Sequence, residues 1–510
     1  MTSSGMHSSS VLLALDIGTT HCKAGVFDLN GKTLRIAKRS MQTQQIPGYA
    51  ITFDPAMLWR NIEDVVREVT SAVQARVLAV GITSMAESIL IVDQTTGEAR
   101  SPILPWFDTS TQVEAERMAA EDDALQFYQK TGMQMRFKCT PPKLLFLKER
   151  HPEVFEGAES PVWLGASDYV VYQLTGAAVT DYSLAGRSGA FDINTHQWDT
   201  DWLRRWNLDV EWFPQAWPSG TTLGTTLPEW ERIGIPAGTP VAIGGHDHLC
   251  AAFGASAVNP ETIFDSMGTA EVLIGSFQQR PLTETDYASG LSSGCHVTSD
   301  YTYWFGSMST SGGSIEWIRQ LFNRETMSYD EFMGLLTQAK LSPTGILFLP
   351  HLLGSGAPHS DSRMRGAWVG LKRQHGRADL AKAVLEGTAF EAEIMRRAGE
   401  AMTGQPIQML TAAGGGTRNP TWMQIKADVC GCPIRIFPEP EAALIGAARA
   451  ATEGSGIPCD FTPTDSVFIE PDMQRNKLYQ ELFEEGYLPI YEPLSRFSHL
   501  PVLEAIDQLN

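Results

Sequence analysis

Val11-Leu12-Leu13-Ala14-Leu15-Asp16-Ile17-Gly18-Thr19-Thr20 is a compact apolar run that ends on an acid, a glycine and two threonines. Such a run, closed by a turn former, reads as a buried strand that leaves through a tight turn. Residues 23–28 resume the strand character, and Asn30-Gly31 marks a second turn before a third strand. Residues 56–73 then change period: Leu58, Ile62, Val65, Val66, Val69 and Val73 recur at helical spacing. Residues 77–83 and 89–93 read as short buried strands. Strand, helix, strand in this order predicts an α/β fold.

The opening theme returns at 262–275 as strand, Ser266-Met267-Gly268-Thr269, strand. Two strand–Gly-Thr–strand units fit either two related domains or two ordinary hairpins. A long helical pattern covers 379–402. An apolar strand at 406–413 leads into Gly414-Gly415-Gly416, and residues 421–431 and 440–452 read as helices.

The chain has 510 residues, 43% hydrophobic and 19% charged, which fits two large or three small globular domains. A net charge of −20 argues against nucleic acid as a partner, because that needs a basic face. It also means that any anionic ligand must find local cations or backbone N–H groups. The seven cysteines are irregularly spaced, which suits a reducing compartment better than a disulfide framework. Cys430-Gly431-Cys432 has no partner pair for a zinc site. The Ser-rich start lacks the pattern of a signal peptide, and no stretch has the length of a membrane span, so a cytoplasmic protein is expected.

Four clusters could carry chemistry. Gly18 lets backbone approach a phosphate, Thr19 and Thr20 can donate to it, and Asp16 could hold Mg²⁺; a plain hairpin with a capping acid explains them as well. In Gly244-Gly245-His246-Asp247-His248, an acid at a strand end after two glycines is poised as a general base toward a hydroxyl. The flanking histidines fit a metal site less well than contacts to substrate. Gly414-Gly415-Gly416-Thr417-Arg418-Asn419, between a strand and a helix, suits close approach to a nucleotide, although it is not a Walker A loop. Glu87, Trp106 and Asp108 combine carboxylates with an aromatic face, as a sugar site does, yet each also has an ordinary structural use.

In this order the pieces resemble the FGGY carbohydrate kinases over residues 11–452. The most specific element is Gly366-Ala367-Trp368-Val369-Gly370-Leu371, then seven residues, Asp379-Leu380 and Ala383-Val384-Leu385-Glu386. Leu349-Pro350 and residues 354–361 match a preceding segment, with Ser355-Gly356 in place of the usual Glu-Arg. Lys143-Leu144-Leu145-Phe146-Leu147 has Phe where Trp is usual. Leu174-Thr175-Gly176, Thr180-Asp181-Tyr182-Ser183 and Gln424-x-x-Ala427-Asp428 also fit.

The resemblance implies a two-lobed, actin-like (ribonuclease H-like) ATPase fold with duplicated domains and a central nucleotide cleft. The expected parts are a disordered tail 1–10, a first lobe 11–250, a second lobe 251–455 and an extension 456–510 on the second lobe. It implies ATP and Mg²⁺, with Asp16 and Asp247 near the metal and Gly18, Thr19, Thr20, Gly268, Thr269, Gly415, Gly416 and Asn419 on the nucleotide. Asp247 becomes the base, and Glu87, Trp106, Asp108, His246, Asp247 and His248 contact the substrate. A homodimer is the implied assembly. Glycerol kinases carry Arg-Glu where this chain has Ala86-Glu87, and xylulokinases carry Met-His. The segments at 245–248 and 266–271 look closest to fuculokinase-like members. A ketose or deoxyketose such as L-fuculose is therefore the expected acceptor, with ketopentoses, erythrulose, erythritol and glycerol-like polyols as alternatives. A non-catalytic actin-like ATPase and a sugar-sensing pseudokinase are the rivals of another class.

Overall fold

The computed structural model describes residues 10–323, 325–461 and 466–507. The expected tail lies outside them except for Ser10, which opens the first strand.

The first sheet contains β1 (Ser10–Ile17), β2 (His21–Phe27), β3 (Thr33–Ser40), β4 (Arg76–Ser84), β5 (Thr222–Thr225) and β6 (Pro240–His246). Their spatial order is β5-β6-β4-β1-β2-β3. The strands β1, β2 and β3 are antiparallel neighbours, whereas β1, β4 and β6 run parallel. The second sheet contains β7 (Thr262–Met267), β8 (Glu271–Gln278), β9 (Ser292–Cys295), β10 (Tyr301–Met308), β11 (Met409–Ala413), β12 (Ile434–Ile436) and β13 (Val467–Ile469). Its order is β9-β10-β8-β7-β11-β12-β13. Here β7, β8 and β10 are antiparallel, and β7, β11 and β12 are parallel. The two sheets therefore repeat one plan, three antiparallel strands followed by two parallel ones, with a Gly-Thr turn after the first strand of each. That repetition carries the duplication which the sequence left open. Residues 89–93 do form a strand, but it pairs with Pro161–Gly165 in a separate ribbon outside the main sheet.

Alternation along β1 shows how the first sheet is covered. Val11, Leu13, Leu15 and Ile17 face α1 (Pro55–Val73), which presents Leu58, Ile62, Val65, Val66 and Val69. Asp54 caps that helix by accepting from Ala56 N, and Pro55 takes its first position, where no amide donor is needed. Leu12 and Ala14 face the other way, into a core shared with the second sheet. Two helices fill that core: α2 (Asp247–Gly254) and α6 (Ala442–Ser455). Between them in sequence lie α3 (Gly312–Phe322), α4 (Arg377–Thr403) and α5 (Pro420–Cys430), all on the second lobe.

The helix α6 bridges the two sheets. It falls late in the segment assigned to the second lobe, yet it packs on β4, β6 and β1 of the first sheet as well as on α2. Small residues make this possible. A Cβ on Gly81 would lie 1.9 Å from the Ala447 carbonyl oxygen, and one on Gly446 would lie 1.9 Å from that of Cys250. Gly81→Ala is expected to cost about 3 kcal/mol of stability, the upper part of the overpacking range, because the opposing atom is backbone and cannot swing aside. Denaturant unfolding of the variant measures this, and an unchanged midpoint would contradict the close approach.

The C-terminal extension follows α4 through α7 (Met473–Leu482) and α8 (Leu488–Ser498). Tyr479 donates to Glu386, and Tyr487 and Tyr491 donate to Glu391. Its first residues also touch the other lobe, where Asp460 N donates to Leu29 O.

Candidate active site

Each Gly-Thr turn joins the first two strands of its sheet. In the first, Gly18 N donates to His21 O at 3.0 Å, and Thr20 is exposed. In the second, Gly268 N donates to Ala270 O at 3.0 Å. Gly312 N at the start of α3 braces this turn by donating to Gly268 O. Gly268 and Thr269 share with Gly415 and Gly416 a cavity of about 760 Å³, which Tyr329 and Met333 also line. Gly414 adopts φ 102°, and a Cβ there would lie 2.6 Å from Met267 O, so the glycine run lies flat against β7. Asn419 does not reach the cavity surface. It is fully buried and caps α5 by accepting from Trp422 N at 3.1 Å.

Asp16 closes β1 inside the cleft. Its Oδ2 lies 3.5 Å from Lys23 Nζ, which in turn meets Glu441 at 2.5 Å. Its Oδ1 is buried without a hydrogen-bond partner. Burial pushes the Asp16 carboxyl up to about 7, Lys23 opposes this, and the charge on Asp247 adds to it. An orphaned carboxylate oxygen beside a second carboxylate fits a hard cation such as Mg²⁺.

Asp247 is the first residue of α2 and remains partly exposed, as His248 does, while His246 before it is buried. Its Oδ1 accepts from His248 N at 2.7 Å and lies 3.2 Å from His246 Nε2. Burial raises its carboxyl above the usual range, partly offset by His248 and Lys23. Ligand atoms of His246, Asp247 and His248 lie within 4.8 Å of one another. Burial holds His246 well below its ordinary value and therefore neutral. The strand end carrying Asp247 is fixed from behind. Gly245 takes φ 99°, Thr83 Oγ1 donates to its carbonyl at 2.7 Å, and Ser183 Oγ accepts from His246 N at 2.9 Å. Ser183 Oγ donates onward to Asp181 at 2.8 Å.

Glu87 is the second buried acid of the cleft. It adopts φ 57°, a left-handed conformation that a non-glycine residue keeps only when its surroundings hold it there. Arg187 Nη2 lies 2.5 Å and Lys138 Nζ 3.2 Å from Glu87 Oε1. Buried Lys143 donates to the carbonyls of Glu87, Leu104 and Pro105. Burial pushes the Glu87 carboxyl up, but Arg187 and Lys138 override it and hold the group below its ordinary value, ionised. Trp106 stands half-exposed beside the first turn and donates from Nε1 to Thr19 Oγ1 at 3.0 Å. Asp108 is fully buried: its Oδ1 accepts from Ser110 Oγ at 2.7 Å and from Ile51 N at 3.3 Å, so it shapes the loop under Trp106.

Arg187 and Lys138, the cations that meet Glu87, are cleft residues that the sequence did not single out. The one signal for Arg187 was a lone charge within Leu184-Ala185-Gly186-Arg187-Ser188-Gly189, where nothing else is polar enough to solvate it.

Comparison with known proteins fits this geometry. Residues 11–254 match the N-terminal domain of the FGGY family of carbohydrate kinases, and residues 265–453 match its C-terminal domain. The chain is 31% identical over 483 residues to a glycerol kinase of Gloeobacter violaceus, covering 92% of this chain and 95% of that protein. It is 28% identical over 501 residues to a xylulose kinase of Staphylococcus epidermidis, covering 95% and 96%. The crystal structure of xylulose kinase from Rhodospirillum rubrum superposes with a TM-score of 0.85 at 25% identity, over 96% of this chain and 100% of that one. With two related sheets of actin-like design, a Gly-Thr turn in each, and both family domains matched in order, the chain belongs to the FGGY family of carbohydrate kinases and is an ATP-dependent sugar kinase.

Proposed function

We propose that this enzyme transfers the γ-phosphoryl group of ATP to a hydroxyl of a small ketose or deoxyketose, with Asp247 as the general base. The observation that carries the reading is the position of Asp247. It lies at a helix start between the Asp16 turn and the Glu87 site, partly exposed and with a raised carboxyl. Glu87 is ionised and accepts from sugar hydroxyls, Arg187 and Lys138 fix its direction, and the ring of Trp106 offers a face for sugar C–H groups. ATP lies along the cavity of Gly268, Thr269, Gly415 and Gly416, whose glycines let its phosphates approach the backbone closely. Lobe closure brings the acceptor hydroxyl to Asp247, which takes its proton as the oxygen attacks the γ-phosphorus and ADP leaves. Mg²⁺, for which Asp16 has a free oxygen, would neutralise phosphate charge when bound. The reaction belongs in the cytoplasm, consistent with seven free cysteines; among the described residues no helix is long and apolar enough to cross a membrane.

A polyol is the second reading. Ala86 stands where glycerol kinases carry arginine, but Arg187 supplies a guanidinium to the same acid from elsewhere in the chain. An ADP-release screen over ketoses, deoxyketoses, tetroses and alditols tests both. The highest kcat/KM is expected for a ketose or deoxyketose, and a clear lead for glycerol or erythritol would replace the first reading with the second.

A further inference from the structure

Beyond Glu87 the cleft continues into a small cavity of about 100 Å³ between the lobes. Arg136, Lys138 and Arg187 line it, together with the hydroxyls of Ser292, Ser307 and Ser360, and no carboxylate does. This is unusual ground in a chain of net charge −20. The one nearby acid, Glu87, meets both Arg187 and Lys138 through a single oxygen, so two cations share one negative charge, and Arg136 adds a third at the mouth.

Arg187 is the least satisfied of them. Its side chain is 2% exposed and its Nε has no hydrogen-bond partner. Nη1 meets Tyr303 Oη and Ser292 Oγ only at 3.4 and 3.5 Å, the limit of hydrogen bonding. The guanidinium lies over the Phe305 ring, 5.2 Å from its centroid, which supports its face and leaves its edge to bond. A buried guanidinium with N–H groups to spare is costly unless a ligand completes it. Lys138 shows the same excess: burial and the charge of Arg187 hold its ammonium below the usual value despite Glu87. The cavity adjoins the acceptor site, since Phe305 also packs against His246 and His248. Its volume is that of a few waters, too small for a whole sugar and sufficient for one planar anionic group.

We propose that the acceptor carries a carboxylate at the end remote from the phosphorylated hydroxyl, a keto-sugar acid whose carboxylate is held by Arg187, Lys138 and Arg136. This rests on the kinase reading above and narrows its acceptor from the neutral ketose to the acid of the same chain. The planar fork of Arg187 matches a carboxylate edge-on, and the three serine hydroxyls take the remaining lone pairs.

The test compares kcat/KM for matched acceptors: fructose with fructuronate, tagatose with tagaturonate, and fructose 6-phosphate as an acceptor whose anion is a phosphate. The expected result is that an acid exceeds its ketose by about tenfold or more, the worth of one charge-assisted contact. That preference should shrink with added salt and fall about tenfold in Arg136→Leu. Equal or better use of the ketoses, an equal loss of acid and ketose in Arg136→Leu, or a lead for fructose 6-phosphate would each overturn the carboxylate. If no acceptor here or in the wider screen over deoxyketoses, tetroses and alditols is phosphorylated, the reading of this cleft as the acceptor site fails separately. Calorimetric titration of the two acids in the presence of ADP then decides the inference: binding weakened in Arg136→Leu upholds it, and no binding ends it.

Discussion

Asp247→Asn is expected to lower kcat by about 10²–10⁴-fold, the range that a positioned general base contributes, while the KM for sugar changes little. Asparagine keeps the size of the side chain and an oxygen to accept from His248 N, so the start of α2 should hold. What it loses is the ability to take the hydroxyl proton. Three features argue for a large effect. The raised carboxyl of Asp247 is a better base than an ordinary one, and the contacts to His248 and the charge of Lys23 oppose the effect of burial and so favour its ionised form. The neighbouring His246 is kept neutral by burial and already lies against Asp247, so it orients the carboxylate and is not free to replace it. Glu87 is held ionised by Arg187 and Lys138, but both cations bond its carboxylate and make it a poor proton acceptor. Since the base must be deprotonated, wild-type turnover should fall as pH drops through the raised Asp247 value. Steady-state ADP release, with a melting curve to confirm folding, measures the effect. A variant within tenfold of wild-type kcat would sink the assignment.

The frame around this base was legible because it is written in local chemistry. The apolar run at 11–17, its Gly-Thr turn and the Asn30-Gly31 turn each dictate backbone geometry within a few residues, and all three appear where expected. The same holds for the second hairpin and for the long helix at 377–403. What stayed hidden is set by partners distant in sequence. Nothing in the alanine-rich pattern of α6 says which sheet it covers, because small residues fit any close approach; Gly81 and Gly244 on the facing strands admit it. Asp108 and Asn419 were singled out for residue type, yet aspartate and asparagine serve equally as ligands and as caps, and here both bond backbone. Arg187 and Lys138 meet Glu87 across 100 and 51 residues of chain, and no periodicity records such a meeting.

Lys426→Met should destabilise the second lobe by about 3–5 kcal/mol, as the loss of one partner from a buried ionic group does. Lys426 is wholly buried on α5 and donates to Asp265 Oδ2 at 2.6 Å and to Glu271 Oε1 at 2.7 Å. Glu271 also accepts from Ser311 Oγ at 2.6 Å. The two acids flank the Gly268-Thr269 turn, one near the end of β7 and one at the start of β8, so a single ammonium ties together both arms of that turn. Burial alone would lower the lysine, but the two carboxylates more than reverse this and keep it charged. Asp265 is pushed up by burial and by Glu271, with Lys426 opposing. Methionine fills the same length without charge and leaves two carboxylates facing each other. Protonating one of them is the only relief, so in the variant an acid's folded pKa rises further above its unfolded value. A raised acid adds stability below its unfolded pKa and loses it as pH climbs through the folded one, so the deficit should be larger at pH 8 than at pH 5.5. Denaturant unfolding at those two pH values reads the difference. Adding Asp265→Asn to Lys426→Met should restore part of the loss at pH 8, because it removes the repulsion without restoring the lysine. The loosened loop should also raise the KM for ATP more than that for sugar, because the turn lines the cavity proposed for ATP. A variant as stable as wild type at pH 8 would mean that the triad contributes shape and not charge balance, and the loop would then need another explanation for its rigidity.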